Sequence, residues 1–162
     1  MSAAVRTMVR PATLGDYAAL CALFEELDEF HRRARPDFFR PFEGPARSWE
    51  QVGRWLAGPD STVLVAEDES EVIGLCLLLP RSPAPFAGAV PRKVVVIDNL
   101  VVRAECRDRR IGERLVAASM DWARGQGATH VELGVHAVNR HARRFYERLG
   151  FAVSVNWMSR AA

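Results

Sequence analysis

Apolar and polar positions change period several times along the chain, and each change predicts an element. Residues Val94 to Val102 form a nearly continuous run rich in β-branched side chains, the pattern of a buried strand. Beyond it Ile111, Leu115, Ala118 and Trp122 recur at intervals of four, three and four, so an amphipathic helix starts near Arg110. A further strand is predicted over His130 to Val135. The helix after it places Ala142, Phe145, Tyr146 and Leu149 on one face, with Asn139 as its N-cap and Gly150 as its terminator. Phe151 to Trp157 is expected to be the closing strand.

The first half follows the same logic. Val5 to Arg10 is predicted as strand, and Thr13-Leu-Gly-Asp16 resembles a capping box ahead of a helix whose apolar face is Leu20, Leu23, Phe24, Leu27 and Phe30. His31 to Pro45 mixes basic residues, aromatics and prolines and is expected to leave regular helix. Trp49 to Leu56 is a second short helix. Thr62 to Ala66 and Val72 to Leu79 form an antiparallel pair around the polar turn Glu67 to Glu71, and Pro80 to Pro91, with four prolines, is a loop. The order strand, two helices, three strands, helix, strand, helix, strand predicts an α/β domain with a mixed sheet, and 162 residues suit a single domain spanning 1–162.

Composition adds constraints. With 49% hydrophobic and 26% charged residues the chain is expected to be soluble and globular, and cytoplasmic by default. No apolar run reaches the ~20 residues of a membrane helix, so no membrane partner is expected. Cys21, Cys76 and Cys106 have no Cys-x-x-Cys spacing, which disfavours a disulfide framework or a metal site. A net charge of +2 does not point to nucleic acid. Between Asn99 and Arg148, however, ten Arg face six acidic residues, a local bias that suits a ligand with several phosphates.

That bias gathers where the strand Val94 to Val102 meets the next helix. The first amides of a helix lack intrahelical partners and sit at the positive end of its dipole, so a turn that aims them outward binds pyrophosphate. Here the turn is Arg107-Asp-Arg-Arg-Ile-Gly112, followed by Glu113. It resembles the coenzyme A turn of the GCN5-related N-acetyltransferase (GNAT) family, in which an Arg or Gln is followed by two variable residues, Gly, one variable residue and Gly or Ala. Arg107 and Gly112 match, while Arg110 stands where the first Gly is usual. With an ordinary helical φ, the Arg110 amide still points at phosphate, and Gly112 lets the backbone approach the ligand. The later stretch from His136 through Asn139 and Tyr146 to Leu149-Gly-Phe151 is similar to the same family's second motif, and the two occur in the family's order.

The resemblance implies a mostly antiparallel sheet flanked by helices. In it, the strands at Val94 to Val102 and His130 to Val135 start paired and splay apart at the coenzyme site. It implies acetyl transfer from acetyl-coenzyme A to a primary amine of a small molecule by direct attack on the thioester. Backbone around Leu100, Val101 and Val102 would hold pantetheine. The phosphates would fall to Arg107, Asp108, Arg109, Arg110, Ile111, Gly112 and Glu113, with Asn139 also at the coenzyme. Tyr146 would protonate the leaving thiolate. Asp98 or His136 would take the amine proton, and Glu25, Glu26 and Glu29 are further candidates. Asp98 and Asn99 are expected on opposite strand faces. A non-catalytic acyl-coenzyme A binding module is the alternative, and a homodimer is a possible assembly.

Overall fold

The computed structural model describes residues 7–83 and 86–162. Five strands form one sheet in the order of the chain: β1 (Met8–Pro11), β2 (Thr62–Asp68), β3 (Glu71–Arg81), β4 (Val94–Val102) and β5 (His130–Leu133). The first three pairings are antiparallel and β4–β5 is parallel, so the sheet is mixed and mostly antiparallel. Helices α1 (Tyr17–Ala34) and α2 (Trp49–Ala57) cover one face; α3 (Ile111–Gly125) and α4 (Arg140–Arg148) cover the other.

Strand alternation divides the core between the two faces. Val63, Val65, Leu75 and Leu77 pack with Leu20, Leu23, Phe24 and Val52 beneath α1 and α2. Leu64, Ala66, Cys76 and Leu78 pack with Ile111, Leu115 and Val116 beneath α3. The β2–β3 turn is tighter than the sequence suggests: Glu69 and Ser70, at φ 47° and 69°, form a two-residue connection of the hairpin-favoured hand. Near the start, Asp16 accepts the Thr13 amide at 2.8 Å, as the capping pattern predicts, and also receives Arg10 at 2.9 Å. Arg10 reaches Glu67 as well, tying β1 to β2 and to the entry of α1.

Several expectations need correction. Residues His31 to Ala34 continue α1, because no proline intervenes before Pro36 and Arg32 and Arg33 pair with Glu29 one turn earlier. Pro80 and Arg81 belong to β3, at the end of its pairing with β4. Strand β5 stops at Leu133, so Gly134 and Val135 are not strand. Phe151 to Trp157 forms no strand at all. Of the predicted first strand, Val5 and Arg6 lie outside the described residues, as do Ala84 and Pro85 of the predicted loop.

Candidate active site

Strand β4 carries the geometry that matters most. Its pairing with β5 runs from Val94↔His130 to Ile97↔Leu133 and then ends, while β4 continues to Val102 alongside β3. The side of Asp98 to Val102 that would face β5 is therefore without a strand. The pairing with β3 jumps from Leu78↔Ile97 to Leu77↔Asn99, which leaves Asp98 as a bulge. Ile97 and Leu100, three residues apart, both pack on the α3 face, and only an extra residue between them allows this. Alternation counted from either end thus places Asp98 and Asn99 together on the α1–α2 face, not on opposite faces as expected.

Asp98 makes no salt bridge or side-chain hydrogen bond among the described residues. Crowding by protein raises its carboxyl above the ordinary range, and the charge of Arg47 offsets part of that rise. Arg47 itself pairs with Asp28 of α1 at 2.8 Å and lies 4.4 Å from the Phe24 ring centroid.

The turn between β4 and α3 departs from the expected backbone. Asp108 and Arg110 both have left-handed backbone, at φ 67° and 58°, and Arg110 caps α3 in that conformation. The ordinary helical φ expected for Arg110 is thus replaced by the one a glycine adopts most readily, which accounts physically for a glycine being usual at this position. Gly112 also has a packing role. A Cβ placed there would lie 3.2 Å from Phe145 Cζ, so its bareness lets α4 pack on the first turn of α3.

The arginines of the turn are anchored. Arg107 donates to the Val102 carbonyl and to Glu26, both at 3.2 Å, and Glu26 also accepts the Ala104 amide at 2.9 Å. Arg109 pairs with Asp68 and Arg110 with Glu113. An open groove of about 340 Å³ runs along this corner, lined by Arg109, Arg110, Glu113, Arg114 and Ala117. Three guanidinium groups beside the free amides of a fifteen-residue helix fit a phosphate-bearing group.

Tyr146 projects from α4 into the α3-side core, with its ring 5.1 Å from Phe145 and 5.6 Å from Phe151. Burial raises its phenol, and the neighbouring Cys76 thiol adds to the effect, so the hydroxyl keeps its proton well past neutrality. Cys76 lies opposite Leu100 in the β3–β4 ladder, and Tyr146, Leu100 and Val102 pack against the same α3-side core that contains it. Asn139 caps α4 as expected, accepting the Ala142 amide at 3.1 Å. His136 lies elsewhere: its ring is 5.6 Å from His31, 5.6 Å from Phe38 and 5.4 Å from Phe39. These four rings bridge the end of α1 and the loop after β5.

Comparison with known proteins agrees with this geometry. A model of the acetyltransferase (GNAT) family matches residues 22–151. The chain belongs to the GNAT acetyltransferase family. It is 30% identical over 143 residues to YhfO of Bacillus subtilis, an uncharacterized N-acetyltransferase, covering 88% of each chain. Among solved structures, it resembles a tetramutant of the BH1408 protein of Bacillus halodurans with a TM-score of 0.88 and 28% identity, covering 96% of this chain and 99% of that one. The aminoglycoside N-acetyltransferase AAC(6')-Iy, in complex with CoA, shares the fold at a TM-score of 0.73 and 15% identity, covering 100% and 98%.

Membership makes this chain an acetyltransferase and gives the free edge of β4 its meaning. Among the described residues no helix is long and apolar enough to cross a membrane, and no cluster of His, Cys, Asp and Glu could hold a metal ion. The sequence reading missed Asp68 as the partner of Arg109 and the second role of Glu26 as a tether. Both contacts join residues more than forty positions apart, and local pattern carries no signal for them.

Proposed function

We propose that the chain is an N-acetyltransferase that uses acetyl-coenzyme A to acetylate the primary amine of a small molecule, and that residues 1–162 form one such domain. The observation that carries this reading is the end of β4–β5 pairing at Ile97↔Leu133, with Tyr146 packed against the same core as Leu100 and Val102 of the free half of β4. The coenzyme supplies a thioester carbonyl open to attack by the amine. Its phosphates are assigned to the amides and guanidinium groups of Arg107, Asp108, Arg109, Arg110, Ile111, Gly112 and Glu113, and its pantetheine arm to the backbone of Leu100, Val101 and Val102. Asn139 belongs to the same site through its amide nitrogen, since its oxygen serves as the helix cap.

The reacting groups divide the work. An amide on the free edge of β4 donates to the carbonyl oxygen as that oxygen gains charge. Tyr146, held neutral by burial, gives its proton to the departing sulfur. Asp98 receives the amine proton, and its raised carboxyl brings it closer to the pKa such a base needs. His136 is assigned to the acceptor side of the site, among aromatic rings that suit the body of a substrate.

Charge pairing narrows the acceptor. Glu25, Glu26, Asp28, Glu29 and Asp37 are each paired with an arginine, whereas Asp98 makes no such pair among the described residues. With the α1 carboxylates occupied and Asp98 open on the α1–α2 face of β4, an amine whose apolar or aromatic body lies against the rings of His31, Phe38, Phe39 and His136 is the acceptor this side suits.

Calorimetric titration with acetyl-coenzyme A, followed by thiol release across a panel of amines, tests the reading. One-to-one binding with turnover is expected; binding without turnover of any amine would favour the sensing module. Tyr146→Phe should lower turnover about 100-fold or more while leaving coenzyme affinity unchanged. Equal turnover in the variant would remove Tyr146 from the chemistry.

A further inference from the structure

One carbonyl on the free edge of β4 is already taken by a side chain. The Arg103 amide donates to the Ile73 carbonyl of β3 at 2.9 Å, so alternation along the antiparallel ladder turns the amide and carbonyl of Val102 away from β3, toward the edge that β5 does not reach. The 3-10 turn Ala104–Cys106 then folds the chain back, with the Cys106 amide on the Arg103 carbonyl at 2.9 Å. Arg107 is thereby brought beside the strand that precedes it, and its Nε donates to the Val102 carbonyl at 3.2 Å.

The rest of that guanidinium is held from α1. Its Nη2 donates to Glu26 Oε1 at 3.2 Å, and the same oxygen accepts the Ala104 amide at 2.9 Å. Arg109 and Arg110 differ from it: they pair with the carboxylates of Asp68 and Glu113, and among the described residues neither donates to β4. The Arg107 side chain is 54% exposed and that of Glu26 33%, so their pair is screened by water and is readily exchanged for a stronger partner.

We infer, resting on the coenzyme reading of this site, that Arg107 makes the site selective for acyl donors that carry phosphate over phosphate-free acyl-pantetheine thioesters. A pantetheine arm along Leu100 to Val102 calls for the carbonyl that Arg107 Nε holds, and a phosphate at the turn calls for the same guanidinium. With a phosphate-bearing donor both demands are met by one movement. Arg107 exchanges Val102 and Glu26 for phosphate oxygen, a charge-assisted partner, and the Val102 carbonyl is freed for a pantetheine amide. With pantetheine alone nothing draws Arg107 away, and the arm competes with it for the carbonyl. Glu26 keeps the Ala104 amide in either case, so the start of the turn stays tied to α1 while the side chain moves.

Calorimetric titration of wild type and Arg107→Ala with acetyl-coenzyme A and with S-acetylpantetheine tests this, and the two ligands should move in opposite directions. Loss of the phosphate contact should weaken acetyl-coenzyme A about 10-fold or more, whereas release of the Val102 carbonyl should tighten S-acetylpantetheine about fivefold. Glu26→Gln keeps an acceptor for the Ala104 amide but loosens Arg107, and it should tighten S-acetylpantetheine in the same direction. That ligand is uncharged, so relief of charge repulsion does not account for the gain. If S-acetylpantetheine binds Arg107→Ala no better than wild type, the selectivity is not held by Arg107, although binding of acetyl-coenzyme A to wild type would leave the coenzyme reading intact. A wild-type chain that binds neither ligand would remove the coenzyme reading, and the role of Arg107 with it.

Discussion

Arg110 holds φ at 58°, a backbone conformation that costs an L-residue about 1–2 kcal/mol relative to the right-handed region. Its guanidinium recovers little, because the pair with Glu113 is a solvent-exposed contact within one helical turn. Arg110→Gly removes the strain but adds the chain entropy of glycine, about 0.5–1 kcal/mol. The expected net effect is a stability gain of up to about 1 kcal/mol, read as a higher urea midpoint at unchanged slope. In the proposed site the amides of the turn do most of the binding and keep their direction in this variant, so coenzyme affinity should fall only slightly. Arg110→Val, with a β-branched side chain forced to the same φ, should lose both stability and affinity. If glycine and valine behave alike, the turn does not depend on the left-handed residue.

At the scale of elements, α3 and α4 meet through one glycine and one ring. Alanine at 112 gains about 0.8–1 kcal/mol of helix propensity but sets its Cβ 3.2 Å from Phe145 Cζ. The ring must yield, and Tyr146 is the aromatic next to it, at 5.1 Å. Gly112→Ala is therefore expected to leave stability within about 1 kcal/mol of wild type while lowering turnover several-fold. Phe145→Leu combined with it should restore part of the lost turnover, a coupling that a double-mutant cycle would measure. The same two helices show what could be read in advance. Their starts and faces, and the terminator of α4, were legible because capping and periodicity are local: Asn139 does cap α4, and Ile111 and Leu115 do face the core. Strand β4 was legible end to end for the same reason. The bulge at Asp98 was not, since it is defined by register against β3. The role of Gly112 was not either, since its neighbour is 33 residues further along the chain. The closing strand failed in another way: Phe151 to Trp157 has the alternation of a strand but forms none, because alternation alone does not supply an edge to pair with.

Over the whole molecule, the candidate site is a seam between parts distant in sequence. Glu26 of α1 holds the Ala104 amide and Arg107, Asp68 at the end of β2 holds Arg109, and Tyr146 of α4 packs against the same core as Leu100 and Val102 of β4. A ligand seated along this seam contacts elements that come together only when the chain is folded, so it binds the native state and not the unfolded one. Such a ligand stabilises by RT ln(1 + [L]/Kd), or about 2.7 kcal/mol at a hundred-fold excess over Kd. For a chain of this size each kcal/mol moves the midpoint by about 2–4 °C. Acetyl-coenzyme A at that excess should therefore raise Tm by roughly 5–10 °C. Free coenzyme A should act comparably, because the contacts assigned to the turn are made by phosphate and pantetheine, not by the acetyl group. A general polyanion such as heparin tests whether basic charge alone would suffice. Any shift it causes should disappear in moderate salt, whereas one that depends on the aimed amides of α3 and on the free edge of β4 should persist. A midpoint unmoved by either form of the coenzyme would mean that the seam is not its binding site.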